Sequence, residues 1–286
     1  MTMKRVLLSI LLCSFIATYS SAGGDKTEKV KSTIQLIRNA TLKINYCGHT
    51  FLVDPMLAPK ANGKGLLNVN GNPRTHLTMS VNSIVNGAEF VLVSHNHGDH
   101  LDGDAIAALS KMNMPLYVQP VDLADIVKSY NNSVTPIADS IKIGEMTVIR
   151  RGGVHGLGKV GELCGPVSGF VLKAAGAPTI YITGDVVYND EIKRNIRLYN
   201  PDYIVSNSGG AMLPDMSPTD GPIIMDEKQT VKMMQEAPEK CKVIAVHMDA
   251  LDHCQTSRYI LRNEANHFAI SHDKLIIPED GEVVSL

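Results

Sequence analysis

Val91-Leu92-Val93-Ser94-His95-Asn96-His97-Gly98-Asp99-His100 is the stretch that sets the architecture expected of this chain. Three apolar residues form a compact buried strand, and three histidines and one aspartate follow within six positions. Imidazole nitrogens and carboxylates are ligands for zinc and similar divalent ions. His95 and His97 stand two apart, so an extended turn lets both reach one ion. Asp99 and His100 then turn toward a neighbouring site, and Gly98 is expected to let the backbone bend closely between them. A single loop histidine would be a solvated polar residue. Four such groups directly after an apolar strand are hard to place in any core without a cation.

The later chain offers further ligands in the same setting. His155 lies among glycines in Gly152-Gly153-Val154-His155-Gly156, after a strand expected over 146–150. Asp185 ends Tyr181-Ile182-Thr183-Gly184-Asp185, and His247 ends Val243-Ile244-Ala245-Val246-His247. Each puts a polar group at the C-terminal end of an apolar strand, so sheet edges could converge on one point. Taken singly, each would be a turn or cap residue. Beside residues 95–100 they become candidate ligands.

Around these motifs, short strands are expected at 33–38, 41–46 and 50–54, with Cys47-Gly48-His49 as a hairpin tip. Residues 55–79, rich in Gly, Asn and Pro, are expected to be a long loop. Asp102 caps a helix running through 105–111. A strand over 115–119 and a helix over 121–130 follow. The second half repeats this grammar, with strands at 140–143, 146–150, 169–172, 180–183, 203–205 and 243–246, and helices at 191–199, 227–236 and 257–268. Helices alternate with strands late in each half, so they should cover two central sheets from outside. No linker divides residues 32–286, which predicts a single domain.

Together the 95–100 segment, His155, Asp185 and His247 resemble the metallo-β-lactamase superfamily, through a complete HxHxDH motif and later ligands in matching order. Residues 37–41 (Ile-Arg-Asn-Ala-Thr), 51–57 (Phe-Leu-Val-Asp-Pro-Met-Leu) and 247–254 look more narrowly like the branch containing L-ascorbate-6-phosphate lactonases and metal-dependent hydrolases. The resemblance implies an α+β fold, a four-layer αββα sandwich, with a two-metal site along one edge. It implies that His95, His97 and His155 hold the first metal, that Asp99, His100 and His247 hold the second, and that Asp185 bridges them. Asp54 would orient a ligand imidazole from behind. His253 is an alternative to His247 as ligand, or lines the pocket, or caps a helix. Zinc is the expected metal, and manganese suits the same ligands.

Two such ions can share and acidify a water that attacks a carbonyl or phosphoryl centre, with Asp99 as the catalytic carboxylate that positions it and shuttles its proton. Neither a G-x-S-x-G elbow nor a phosphate-cradling G-x-x-x-x-G-K-[ST] loop occurs. The bridging position carries Asp185 where the familiar zinc β-lactamases have Cys, which argues against antibiotic hydrolysis. A small ester, lactone, thioester or phosphoester is expected, held between loop 58–79 and segment 209–222. An iron-dependent oxidoreductase on the same fold and a non-catalytic metal-binding protein are the alternatives. His49, His76, His267 and His272 have no supporting pattern.

Composition narrows the partners. The 286 residues carry 27 Lys+Arg against 29 Asp+Glu, a net charge of -2, and are 44% hydrophobic. That describes a globular protein with a sizeable core. Near-neutral charge argues against binding nucleic acid through phosphates, and the absence of Trp against a stacking surface. Residues 1–22 have a secretory leader's layout: Lys4 and Arg5, an uncharged run from Val6 to Tyr19, and Ser20-Ser21-Ala22 before a cut at Gly23. The run is too short to span a bilayer. The mature protein is therefore expected to be exported without an anchor, with residues 23–31 as a flexible entry. Cys47, Cys164, Cys241 and Cys254 are read first as small buried residues and second as a source of one disulfide. The sequence leaves the oligomeric state open.

Overall fold

The computed structural model describes residues 31–63, 65, 71–213 and 220–286. The expected leader over 1–22 and the entry segment, apart from Lys31, lie outside the described residues.

The first half supplies β1 (Thr33–Arg38), β2 (Thr41–Tyr46), β3 (His49–Val53), α1 (Val81–Val85), β4 (Val91–Leu92), α2 (Gly103–Lys111), β5 (Leu116–Val118), α3 (Leu123–Ser129) and β6 (Val134–Pro136). The second half supplies β7 (Ser140–Ile143), β8 (Met146–Val154), α4 (Gly158–Cys164), β9 (Pro166–Lys173), β10 (Ile180–Ile182), α5 (Asp190–Tyr199), β11 (Tyr203–Asn207), α6 (Glu227–Glu236), β12 (Lys242–Val246), α7 (Arg258–His267), β13 (Leu275–Ile276) and β14 (Val283–Ser285). The strands form two seven-stranded sheets, ordered β14-β1-β2-β3-β4-β5-β6 and β13-β12-β11-β10-β9-β8-β7.

Period-2 alternation explains the layers. Ile34, Leu36, Leu42, Ile44, Phe51, Val53 and Leu92 point from the first sheet into the space between the sheets. Phe170, Leu172, Ile180, Ile182, Val205, Ile244 and Val246 meet them from the second. The intervening positions face outward. Leu52, Val91 and Val93 pack under α1, α2 and α3 with Ile84, Ala105, Leu109 and Ile126. Val171, Tyr181, Ile204, Val243 and Ala245 pack under α5, α6 and α7 with Ile192, Ile196, Val231, Met234 and Leu261. This is the expected αββα sandwich in one domain. Caps set several helix starts: Asp102 Oδ1 accepts from Ala105 N at 2.7 Å, Asn189 from Glu191 N, and Ser257 from Ile260 N.

Differences from the sequence expectation have local causes. β8 runs through Gly152 and Gly153 to Val154, past the expected end at 150. A Cβ at Gly153 would lie 2.2 Å from Val186 Cγ1, so a close approach, not a break, requires glycine there. Helix α4 was not expected because Gly158 and Gly161 lower its helical propensity. Helix α1 and strands β6, β13 and β14 are too short to show a period. Cys47, Cys164, Cys241 and Cys254 are free thiols, so the four form no disulfide.

Candidate metal centre

Strand direction brings the candidate ligands to one rim. In the first sheet β1 and β2, then β2 and β3, pair antiparallel, and β3, β4 and β5 are parallel. The C-terminal ends of β1, β3, β4 and β5 therefore face the same way. In the second sheet β8, β10, β11 and β12 share a direction by the same logic. Asp54 follows β3, residues 94–100 follow β4, His155 follows β8, Asp185 follows β10 and His247 follows β12. Asp54 and His247 hold left-handed backbone angles, φ 46° and 63°, unusual for residues with a Cβ and concentrated at functional sites. Gly184 sits at φ +69°, and a Cβ there would lie 2.5 Å from Ser168 O; glycine turns the chain so that Asp185 faces inward. The chain bends at Gly98 as expected, with His100 N donating to His97 O at 2.9 Å, but its φ is not positive and a Cβ there would meet nothing within 4 Å, so the turn itself does not demand glycine.

The seven candidate ligands gather into two groups, His95 with His97 and His155, and Asp99 with His100, Asp185 and His247. Within each group the ligand atoms lie within 4.8 Å of one another. Asp185 Oδ2 joins them: it is 3.0 Å from His100 Nε2, 3.5 Å from His247 Nε2 and 3.7 Å from His155 Nε2. His247 Nε2 is 3.2 Å from Asp99 Oδ2. His253 is absent from both groups. It lines the cavity, with Nδ1 3.3 Å from Asp252 Oδ1.

Surrounding groups aim the rings. His100 Nδ1 is 2.9 Å from Asp54 Oδ2, and Asp54 also accepts hydrogen bonds from Ser94 N and Oγ, both at 2.7 Å. His155 Nδ1 donates to Ile223 O at 2.9 Å, so its Nε2 is a lone pair facing the cleft. Asn207 Nδ2 donates to Asp185 Oδ1. Asn39, Ser94 and Asn207 position the ligands without being ligands themselves, a role that no pattern in the sequence assigns. Asn39 ends up on the rim because β1 points there. Its carbonyl accepts from His247 N at 2.9 Å and its Nδ2 donates to Asp99 O at 3.1 Å.

Electrostatics divide the two groups. Burial, aided by the charge on His100, holds His95 well below the usual imidazole range; burial also lowers His155 against the pull of Asp185. Burial would lower His100 and His247 too, but Asp185, with Asp99 and, for His100, Asp54, outweighs it and raises both well above that range. Burial likewise fails to raise Asp99 and Asp185, because His100 and His247 hold both carboxylates well below the carboxylate range. The donor set suits cations. Ring nitrogens of His95 and His97 stand 2.9 Å apart, and those of His247 and His100 3.3 Å apart. Lone pairs repel at such distances unless a proton or a metal lies between them. Cys164, at the cavity wall, is pushed up to about 11 by burial and the charges of Asp185 and Asp99, so it stays a neutral thiol.

The two groups open into a cavity of about 450 Å³. Asn72, Ala211 and Leu213 reach it from the two expected wall segments; Met56, Leu163, Cys164 and Leu251 reach it from elsewhere.

Residues 49–248 match the family described as the Beta-lactamase superfamily domain. The chain belongs to the beta-lactamase superfamily. Within the superfamily it is 32% identical over 255 residues to the UPF0173 protein YddR of Bacillus subtilis (strain 168), covering 87% of this chain and 98% of that protein. Among solved superfamily structures it resembles a possible metal-dependent hydrolase from Veillonella parvula DSM 2008, with TM-score 0.84, 31% identity and coverage of 90% of this chain and 100% of that one. It also resembles an isothiocyanate hydrolase from Delia radicum gut bacteria, with TM-score 0.81, 31% identity and coverage of 89% and 98%.

Proposed function

We propose that this chain is a metal-dependent hydrolase that uses two divalent cations to activate water against a small electrophilic substrate. One observation carries it: a single oxygen, Asp185 Oδ2, lies within 3.7 Å of imidazoles from both ligand groups, the place of a carboxylate shared by two cations. His95, His97 and His155 would hold one, Asp99, His100 and His247 the other. Zinc fits this set, and manganese suits the same ligands. When bound, the cations supply Lewis acidity, making water more acidic and stabilising the oxygen charge that develops.

The remaining work falls to the chain. Asp99, ionised and half-buried at the cavity wall, orients the attacking water and passes its proton to the leaving atom. Asp54 and the Ile223 carbonyl keep the His100 and His155 rings aimed. Lactones, esters, thioesters and phosphoesters fall within this chemistry, and the similarity to an isothiocyanate hydrolase adds the isothiocyanate carbon.

The test is metal analysis of the purified protein with a panel of these substrates. Two equivalents of zinc or manganese, and turnover that disappears in His97→Ala, are expected. Stoichiometric iron with oxygen uptake, or a fully loaded protein inert toward the whole panel, would overturn the reading. We infer also that the protein is exported and acts on small molecules, not nucleic acid. Support comes from the leader pattern and the near-zero charge. N-terminal sequencing should find Gly23 first; an intact Met1 in the cytosolic fraction would count against export.

A further inference from the structure

Away from the Asp/His groups, the described cavity walls are mainly apolar. Met56 follows β3, Leu163 closes α4, Ala211 and Ile223 flank the segment after β11, and Leu251 follows β12. These side chains come from separate parts of the chain and line one cavity. No lysine or arginine is among the described residues that line the cavity. Among the described residues, the polar lining outside the ligand groups is Asn72, Cys164 and His253. Asn72 is already engaged, donating to Asp252 Oδ1 at 3.2 Å and accepting from Asp252 N at 3.0 Å. Leu163 is 69% exposed yet lines the cavity, an apolar side chain at its mouth with much of its surface still open to contact.

A charged group on the part of the substrate remote from the reaction would lose water against this surface, where the described residues offer no lysine or arginine as counter-charge. An apolar group would gain by leaving water. The geometry points to a substrate that offers one electrophilic group to the Asp/His cluster and an uncharged, apolar tail to the wall of Met56, Leu163, Ala211, Ile223 and Leu251. This rests on the hydrolase reading and adds the substrate class to it. Among the chemistries open to the centre, it favours neutral esters, lactones, thioesters and isothiocyanates with alkyl or aryl groups over phosphoesters or sugar acids.

Two readouts test the inference. The first is kcat/KM of the metal-loaded protein on phenylalkyl esters and isothiocyanates of increasing chain length, each beside a partner of equal length ending in a carboxylate. The neutral series should rise about fourfold per methylene until the cavity is filled, as burial of each methylene implies. The carboxylate partners should fall at least about tenfold below. Leu163→Asp, on an exposed position where folding is not at stake, should lower the neutral series by about three- to tenfold and leave metal content at its wild-type value. The second readout needs no turnover: methyl NMR of Met56, Leu163, Ile223 and Leu251 in metal-loaded protein titrated with neutral and carboxylate-ended phenylalkyl amides. Shifts at these methyls with the neutral amides alone are expected. Equal turnover of charged and neutral tails, or methyl shifts that do not discriminate between the amides, would overturn the tail assignment while leaving the hydrolase intact. Discriminating methyl shifts without turnover of any substrate would overturn the hydrolase and leave the apolar-tail site standing.

Discussion

Asp54 Oδ2 lies 2.9 Å from His100 Nδ1, on the opposite side of the ring from Asp185, whose Oδ2 is 3.0 Å from His100 Nε2. One imidazole is thus held between two buried carboxylates from different sheets. Asp54 fixes which nitrogen carries a proton and leaves Nε2 to face the cleft. Asp54→Asn, which keeps the shape but weakens the acceptor and brings an amide against the Ser94 donors, should lower affinity for a metal in the Asp99/His100/Asp185/His247 group by about 10–100-fold. Competition with a chromophoric chelator measures this. Unchanged affinity would mean that His100 needs no such anchor.

His247 and His253 separate by metal content. His247→Ala removes a group whose Nε2 lies within 3.5 Å of Asp99, His100 and Asp185, so the purified protein should retain about half the wild-type metal. His253→Ala should keep the full complement, because that ring is absent from both ligand groups. Elemental analysis of the two variants side by side decides it; loss of metal in His253→Ala would reassign the ligand.

The two groups should differ in their response to pH. His95 and His155 have depressed values, so their lone pairs are available without losing a proton. His100 and His247 have raised values, so a cation must displace protons from them. Metal in the Asp99/His100/Asp185/His247 group should therefore be the first lost as pH falls. The same shifts govern the metal-free protein. The contribution of His100 and His247 is fully present below their ordinary 6.5 and is lost as pH rises through their raised folded values. That of Asp99 and Asp185 is present above 3.8 and is lost as pH falls through their depressed ones. The rise in Tm on adding zinc should be greater at pH 8.5 than at pH 6.5, as thermal denaturation with and without chelator will show. An equal rise at both would contradict the assigned protonation states.

Arg38 is fully buried and donates to three backbone carbonyls, Thr75 O at 3.2 Å, Met56 O at 2.9 Å and Ala58 O at 2.8 Å. It holds the loop that brings Met56 and Asn72 to the cavity. Arg38→Met keeps much of the volume but strands these acceptors, which should destabilise the protein by about 2–5 kcal/mol. Urea denaturation of the metal-loaded protein measures it, and a change below about 1 kcal/mol would show that the loop holds itself.

Much of this protein was legible one residue at a time. Strands β1, β2 and β7 and helix α6 occupy the residues expected of them, because alternation and helical periodicity are local properties of the chain. The histidines and aspartates stood out because such groups rarely end an apolar strand without a task. The roles of Asn39, Ser94 and Asn207 were not legible, since each depends on a partner far away in the chain: His247 and Asp99 for Asn39, Asp54 for Ser94 and Asp185 for Asn207. Asn39 matters because two antiparallel pairings return β3 to the direction of β1, placing the β1–β2 turn against His247.

The sequence alone determined the layer pattern, the caps and the ligand chemistry, for these follow from side-chain type and spacing within a few residues. Tertiary structure decided which groups meet: that His247 and not His253 reaches Asp185, that Asp185 faces both histidine groups, and that Met56, Leu163 and Leu251 share one cavity. The physical reason is that convergence depends on strand direction and sheet stacking, which are set by pairings between segments far apart in the chain and leave no mark on the residues they bring together.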